Sequence, residues 1–222
     1  MSGHSKWSTI KHQKGATDAK KGAMFTKLAN AITIAVKSHN NPSTLIEKAR
    51  AANMPKEKIQ HAIDKGEGKI AGAQLSEAIF EGFAPLGVAI IVETVTDNVT
   101  RTSNDLRSTF AKNGGNLGSP GSVSYLFKHL GEIEVLGEDI LEKALETGAL
   151  DVEDNIVYTA PADLHRVKEE LSKSLKIVNA ELVYRPNKET IVKLSPQDLE
   201  KVENFIETID SLDDVQMVYC NV

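Results

Sequence analysis

Residues 131–185 read GEIEVLGEDILEKALETGALDVEDNIVYTAPADLHRVKEELSKSLKIVNAELVYR, and the order of periodicities in this stretch decides the fold. Glu132–Leu136 alternates acidic and apolar residues and predicts a strand; Glu138–Glu146 predicts a helix closed by Gly148. Two short strands follow, around Ala149–Val152 and Asn155–Thr159. Pro161 opens a helix over Pro161–Ser174, and Lys176–Tyr184 returns to a strand. The order is βαββαβ, the ferredoxin-like plan of an antiparallel sheet with two helices on one face.

Working outward, the flanks repeat the pattern. Upstream lie a strand over 88–95, a helix over 98–112 capped by Thr96-Asp97-Asn98 and stopped by Gly114-Gly115, and a strand over 122–127. Downstream lie a strand over 189–194, a helix over 196–209 capped by Ser195, and a strand over 215–220. Joined together, these are βαββαβ again, so the middle unit reads as an insertion into the turn between the outer unit's second and third strands. Ala78–Phe83, with Pro85-Leu86-Gly87 as its turn, adds a hairpin partner to the strand at 88–95.

The first 70 residues are different. An extended arm, 1–15, precedes a helix over 16–38 whose apolar residues recur at three- and four-residue steps. Asn41-Pro42 starts a second helix ending near Asn53, and Pro55 starts a third ending at Gly66. The expected organisation is therefore α+β: a small helical domain with a basic arm over 1–71, a discontinuous α/β domain over 72–130 plus 186–222, and an inserted ferredoxin-like domain over 131–185.

Charge divides along the same line. Residues 1–70 hold 13 Lys and Arg against 5 Asp and Glu, and residues 71–222 hold 13 against 26. A cationic end on an anionic body points to a polyanion at one end, nucleic acid first among them. Lys6, Trp7, Lys11, His12, Lys14, Lys20, Lys21 and Lys27 are the candidate contacts. Lysines position a protein on phosphate without reading sequence. Trp7, between Lys6 and Lys11, is suited either to stacking on an unpaired base or to pinning the arm on the first helix.

The glycine-rich segment 113–122, NGGNLGSPGS, is a candidate anion-binding loop through Asn113, Gly114, Gly115, Asn116 and Gly118, because successive amides can form a nest. Its other reading is a helix stop and a tight crossing into the next strand. The loop lacks the Gly-Lys-Ser/Thr ending of a nucleotide-hydrolysing P-loop.

Other classes are weakened. The single cysteine, Cys220, allows no intramolecular disulfide and suits a reducing cytoplasm. No apolar run reaches membrane-spanning length, and the start lacks the apolar core of a secretory signal. The six histidines show no metal-ligand spacing, and neither G-x-S-x-G nor H-E-x-x-H occurs. Gly66-Glu67-Gly68-Lys69-Ile70-Ala71 fits G-x-G-x-x-A but follows a helix, so it reads as a linker. The expectation is a non-enzymatic chain with no cofactor, no metal, no membrane and no small-molecule substrate.

Several motifs add a resemblance. Gly3-His4-Ser5-Lys6-Trp7, Ile10-Lys11-His12, Asp18-Ala19-Lys20, Phe25-Thr26-Lys27-Leu28, Ala52-Asn53-Met54-Pro55-Lys56, Glu81-Gly82-Phe83, Thr96-Asp97-Asn98 with Arg101-Thr102, Gly114-Gly115-Asn116-Leu117-Gly118 and Gly121-Ser122-Val123 resemble the YebC family, also called PmpR. The resemblance runs from Met1 to Val222. It implies a three-domain cytoplasmic regulator of transcription that binds DNA. It equally implies translation factors acting on ribosomal RNA at the ribosome, as in the mitochondrial translational activator of cytochrome c oxidase. The family is not known for enzymes. The segment Ser38–Arg50 is shorter than the family pattern, and Asn41-Pro42-Ser43-Thr44-Leu45 stands where an Asn-Pro-Arg-Leu-Arg run is common, so two phosphate-facing arginines are missing. A protein-interaction scaffold, docking through sheet edges or the acidic surface, is a third reading.

Overall fold

The computed structural model describes residues 18–70 and 74–222, with side chains from Lys21 onward. The architecture is α+β, N-terminal helices followed by two four-stranded antiparallel sheets, each carrying two helices, as the sequence predicts. The described chain forms two compact units: Tyr125–Ile191, and the remainder on either side of it.

The larger unit begins with α1 (Asp18–Lys37), α2 (Ser43–Ala51) and α3 (Lys56–Gly66). Asn41 Oδ1 accepts the Ser43 amide at 3.0 Å, which gives α2 its start at the Asn-Pro pair. The three helices close over Ile32, Ala49, Met54, Ile59 and Ala62, all buried. Gly66, at the end of α3, lies against Thr33 and Val36 of α1, where a β-carbon would meet the Thr33 carbonyl at 2.7 Å. α3 therefore packs closely on α1 at the point where the chain leaves for the first sheet.

That sheet contains β1 (Ser76–Phe83), β2 (Ala89–Thr96), β3 (Asn116–Leu117) and β8 (Val215–Cys220) in the order β3-β1-β2-β8, all neighbours antiparallel. Helices α4 (Val99–Lys112) and α7 (Pro196–Asp210) carry its core, where Phe110 and Phe205 meet edge to face at 5.0 Å. Around that pair lie Val88, Ile90, Val92, Leu106, Val202, Ile206 and Ile209.

Two strands expected here are absent. Residues 122–127 are not a strand: Ser124–Leu126 is a 3₁₀ turn, and a strand begins only at Phe127. The amides of Gly121, Val123 and Ser124 donate to the Glu81 carboxylate, each at 2.8 Å, and are not free for a ladder. Residues 189–194 are not a strand either; Lys188–Thr190 is another 3₁₀ turn, and Val192 donates one bond to Asn221. The sheet place expected for 189–194 is filled by β1, so the ferredoxin-like strand order is reached with a strand from before β2.

The Thr96-Asp97-Asn98…Arg101-Thr102 motif is structural. Asn98 Oδ1 accepts the Arg101 amide at 3.0 Å and caps α4. Asp214, just before β8, accepts from Thr102 Oγ1 at 2.6 Å, Thr96 Oγ1 at 3.0 Å and the Arg101 guanidinium at 3.1 Å. One carboxylate thus fastens the end of β2, the start of α4 and the start of β8.

The second unit contains β4 (Phe127–Leu136), α5 (Ile140–Glu146), β5 (Asp151–Glu153), β6 (Ile156–Thr159), α6 (Leu164–Ser172) and β7 (Lys176–Pro186). Its sheet order, β5-β6-β4-β7, is the ferredoxin-like arrangement read from the sequence. Ile133, Val135, Ala144, Val157, Val167 and Leu171 form its core on the helix side. The alternate residues of the strands put Glu132, Glu134, Glu181, Glu153 and Arg185 on the opposite face.

Candidate nucleic-acid interface

Of the residues singled out as nucleic-acid contacts, Lys6, Trp7, Lys11, His12 and Lys14 lie outside the described residues, as does the side chain of Lys20. Lys21 is exposed on α1. Lys27 is a correction. Its ammonium sits 2.7 Å from Asp210 Oδ1 and 2.7 Å from the Asp210 carbonyl oxygen, with both side chains largely buried. It holds α1 to the end of α7 and is not presented to a phosphate.

The described cations gather instead at the corner between α2 and α3. Met54 is buried there and pins the turn from inside. Asn53 adopts φ +60°, a left-handed conformation that asparagine tolerates better than most residues. The corner consequently faces outward, with Arg50 in the last turn of α2 and Lys56 and Lys58 at the start of α3, all exposed. Neither Arg50 nor Lys56 has an ion pair among the described residues. Lys58 Nζ lies 5.7 Å from the Phe25 ring centroid, which keeps its charge on the same side. Pro55 gives α3 no side-chain cap, so the positive end of the helix adds to the field of the cations around it.

The sequence reading did not single out these three residues. It sought phosphate contacts on α2 at 43–45, where the arginines are missing, and not at the other end of the same helix. Two cations straddling an Asn-Met-Pro turn were the available signal.

The glycine-rich segment is also corrected. The Asn113 amide donates to the Thr109 and Phe110 carbonyls, that of Gly114 to Ala111, that of Gly115 to Phe110, and that of Gly118 to the Glu81 carbonyl. Asn116 pairs with Phe83 in the sheet. The five residues proposed to hold an anion form a helix stop and a crossing. Gly115 is required there, because a β-carbon would lie 2.7 Å from both the Phe205 ring and the Phe83 carbonyl. An anion nest does form a few residues on, at Gly121–Ser124, but its occupant is the protein's own Glu81. Burial pushes the Glu81 carboxyl up; the three donated amides outweigh it and hold it below the ordinary glutamate range.

Among the described residues no group of His, Cys, Asp and Glu is arranged to hold a metal ion, and no helix is long and apolar enough to cross a membrane. Cys220 is buried, and burial pushes its thiol up to about 11.

A cation-bearing helical module followed by two antiparallel α/β sheets, with an acidic surface and a glycine-rich crossing closed by an internal carboxylate, defines a class that comparison with known proteins identifies. Residues 5–69 match the TACO1/YebC protein N-terminal domain, and residues 75–222 match the TACO1/YebC second and third domain. The chain belongs to the TACO1/YebC family. It is 43% identical to a "Probable transcriptional regulatory protein" of Aquifex aeolicus, with all of this chain and 95% of that protein covered. It is 45% identical to one of Thermoanaerobacter pseudethanolicus, with all of this chain and 97% of that protein covered. A crystal structure of a conserved hypothetical protein from Aquifex aeolicus superposes with a TM-score of 0.82 at 42% identity, over 98% of this chain and 96% of that one.

Proposed function

We propose that the protein is a nucleic-acid-binding regulator of gene expression, organised in the three parts 1–71, 72–130 plus 186–222, and 131–185, and acting in the cytoplasm without catalysis or a cofactor. The observation that carries this reading is the α2–α3 corner, where Arg50, Lys56 and Lys58 stand together on a rigid turn beside a positively polarised helix end. The lysines of the arm and of α1, Lys6, Lys11, Lys14, Lys20 and Lys21, extend the same basic surface in sequence. The names of the relatives favour DNA and the control of transcription.

One observation favours RNA at the ribosome as the second reading. The polar side chain at the centre of the exposed α3 face, Gln60, donates to Asp64 at 2.9 Å and is not presented for a bidentate contact to a base. Phosphate contacts without base readout serve a folded RNA as well as a duplex. The acidic strand face of the second unit makes the usual base-stacking use of such a sheet unfavourable for either polymer.

The test is fluorescence anisotropy of the full chain against a promoter duplex and a ribosomal RNA hairpin, alongside co-sedimentation with ribosomes. With about five phosphate contacts, affinity should fall about 10²- to 10³-fold between about 50 and 200 mM salt. Tighter binding to the duplex, with a footprint, supports transcription. Co-sedimentation lost on deleting residues 1–15 supports translation.

A further inference from the structure

The second unit carries an apolar patch that its own core does not use. α5 turns Ile140 and Ala144 toward the core, while Leu141 and Leu145, one turn apart on the other side, are 60% and 65% exposed. Gly148, at φ +79°, ends the helix by sending the Ala149 amide back to the Ala144 carbonyl. This brings the chain straight into the edge strand β5, with Leu150 63% exposed at its start. A single exposed leucine is ordinary; three of this exposure within ten residues of one helix and the adjoining sheet edge are not.

The rim of this patch has one sign of charge. Glu138, Asp139, Glu142, Glu146 and Asp154 are all exposed, and none has an ion pair among the described residues. The one cation between residues 129 and 165 is Lys143, and its ammonium is turned back onto the Glu138 carbonyl at 2.8 Å. Nucleic acid and anionic membrane surfaces are repelled by such a rim. The matching surface has apolar side chains along one stripe and cations on both sides.

We infer that the Leu141–Leu145–Leu150 patch docks a basic amphipathic helix of a protein partner, leucine-type side chains covering the patch and lysine or arginine meeting the carboxylate rim. The inference does not depend on where the helical module binds. It gives the molecule two faces of opposite charge, one for a polyanion and one for a cationic protein.

The experiment uses the full chain and a synthetic helical peptide of about 18 residues, with leucine at the i, i+3, i+4 and i+7 positions of one face and lysine on the flanks. A scrambled peptide of equal composition controls for charge attraction alone. Isothermal titration should show saturable 1:1 binding of the patterned peptide, with backbone NMR shifts confined to α5 and β5. Leu141→Ser with Leu145→Ser should weaken it about tenfold or more, with the melting temperature unchanged because both side chains already face solvent. Equal binding of the scrambled peptide, shifts elsewhere, or unchanged affinity in the double variant would overturn the proposal. So would a dimer by sedimentation that the double variant makes monomeric, since the patch would then be covered by a second copy.

Discussion

Lys27 and Asp210 are 183 residues apart in the chain, yet the Lys27 ammonium lies 2.7 Å from both the Asp210 carboxylate and the Asp210 carbonyl oxygen. The pair joins the helical module to the last helix of the first sheet, with side chains only 14% and 16% exposed. Removing one partner leaves the other buried without its counter-charge, which costs more than an exposed ion pair could contribute. Lys27→Ala is expected to lower unfolding free energy by about 3 kcal/mol in urea melts. Its affinity for DNA or RNA should stay within about twofold of wild type once the folded fraction is allowed for. Asp210→Ala should give the same loss of stability, and the double variant less than the sum of the two.

Glu81 is the centre of the glycine-rich crossing, and its carboxylate satisfies three amides at once. Glu81→Ala strands those donors and is expected to cost about 3 kcal/mol or more, with faster hydrogen exchange at Gly121, Val123 and Ser124. The pH dependence follows from the depressed carboxyl. Because its folded value lies below its unfolded one, the stabilisation is complete above the ordinary glutamate range, about 4.3, and is lost as pH falls through the folded value. Wild type should therefore lose stability in acid more steeply than Glu81→Gln.

Glu132 behaves in the opposite sense. Burial, with Glu181 beside it, raises its carboxyl to about 7. The folded state then binds a proton that the unfolded state releases near 4.3, so Glu132 costs nothing in acid and destabilises progressively as pH rises toward 7. Glu132→Gln is expected to match wild type near about pH 4 and to exceed it by on the order of 2 kcal/mol near about pH 8. The direct check is the side-chain carboxyl resonance followed by NMR titration.

The second unit was legible in the sequence because each of its elements announces its own period and its connections are short: Glu132–Leu136 alternates, and Gly148 and Pro161 punctuate. The first sheet was legible in architecture but not in every strand, because the deciding contacts are long-range. Val123, Tyr125 and Phe127 alternate in sequence as a strand would; only the approach of Glu81, about forty residues earlier, diverts the intervening amides into a nest. Likewise, nothing in Glu189–Leu194 reveals that β1 already fills its place beside β2.

The candidate interface was legible as a charge imbalance and not as a list of contacts. Composition counts Lys27 as one more cation, whereas the fold places Asp210 against it. Composition likewise gives Arg50, Lys56 and Lys58 no special weight, whereas Met54 and Asn53 turn them outward together.

The central claim, that the cationic front of the chain grips a phosphate polymer, is tested most directly by the slope of log affinity against log salt on B-form DNA. About five phosphate contacts correspond to a slope of about −4.5 for wild type. Charge reversal at Lys6, Lys11, Lys14, Lys20 and Lys21 together with Arg50 and Lys56 should bring the slope close to zero, while Lys27→Ala leaves it unchanged. A wild-type slope near zero, or a steep slope that survives the reversals, would contradict the account.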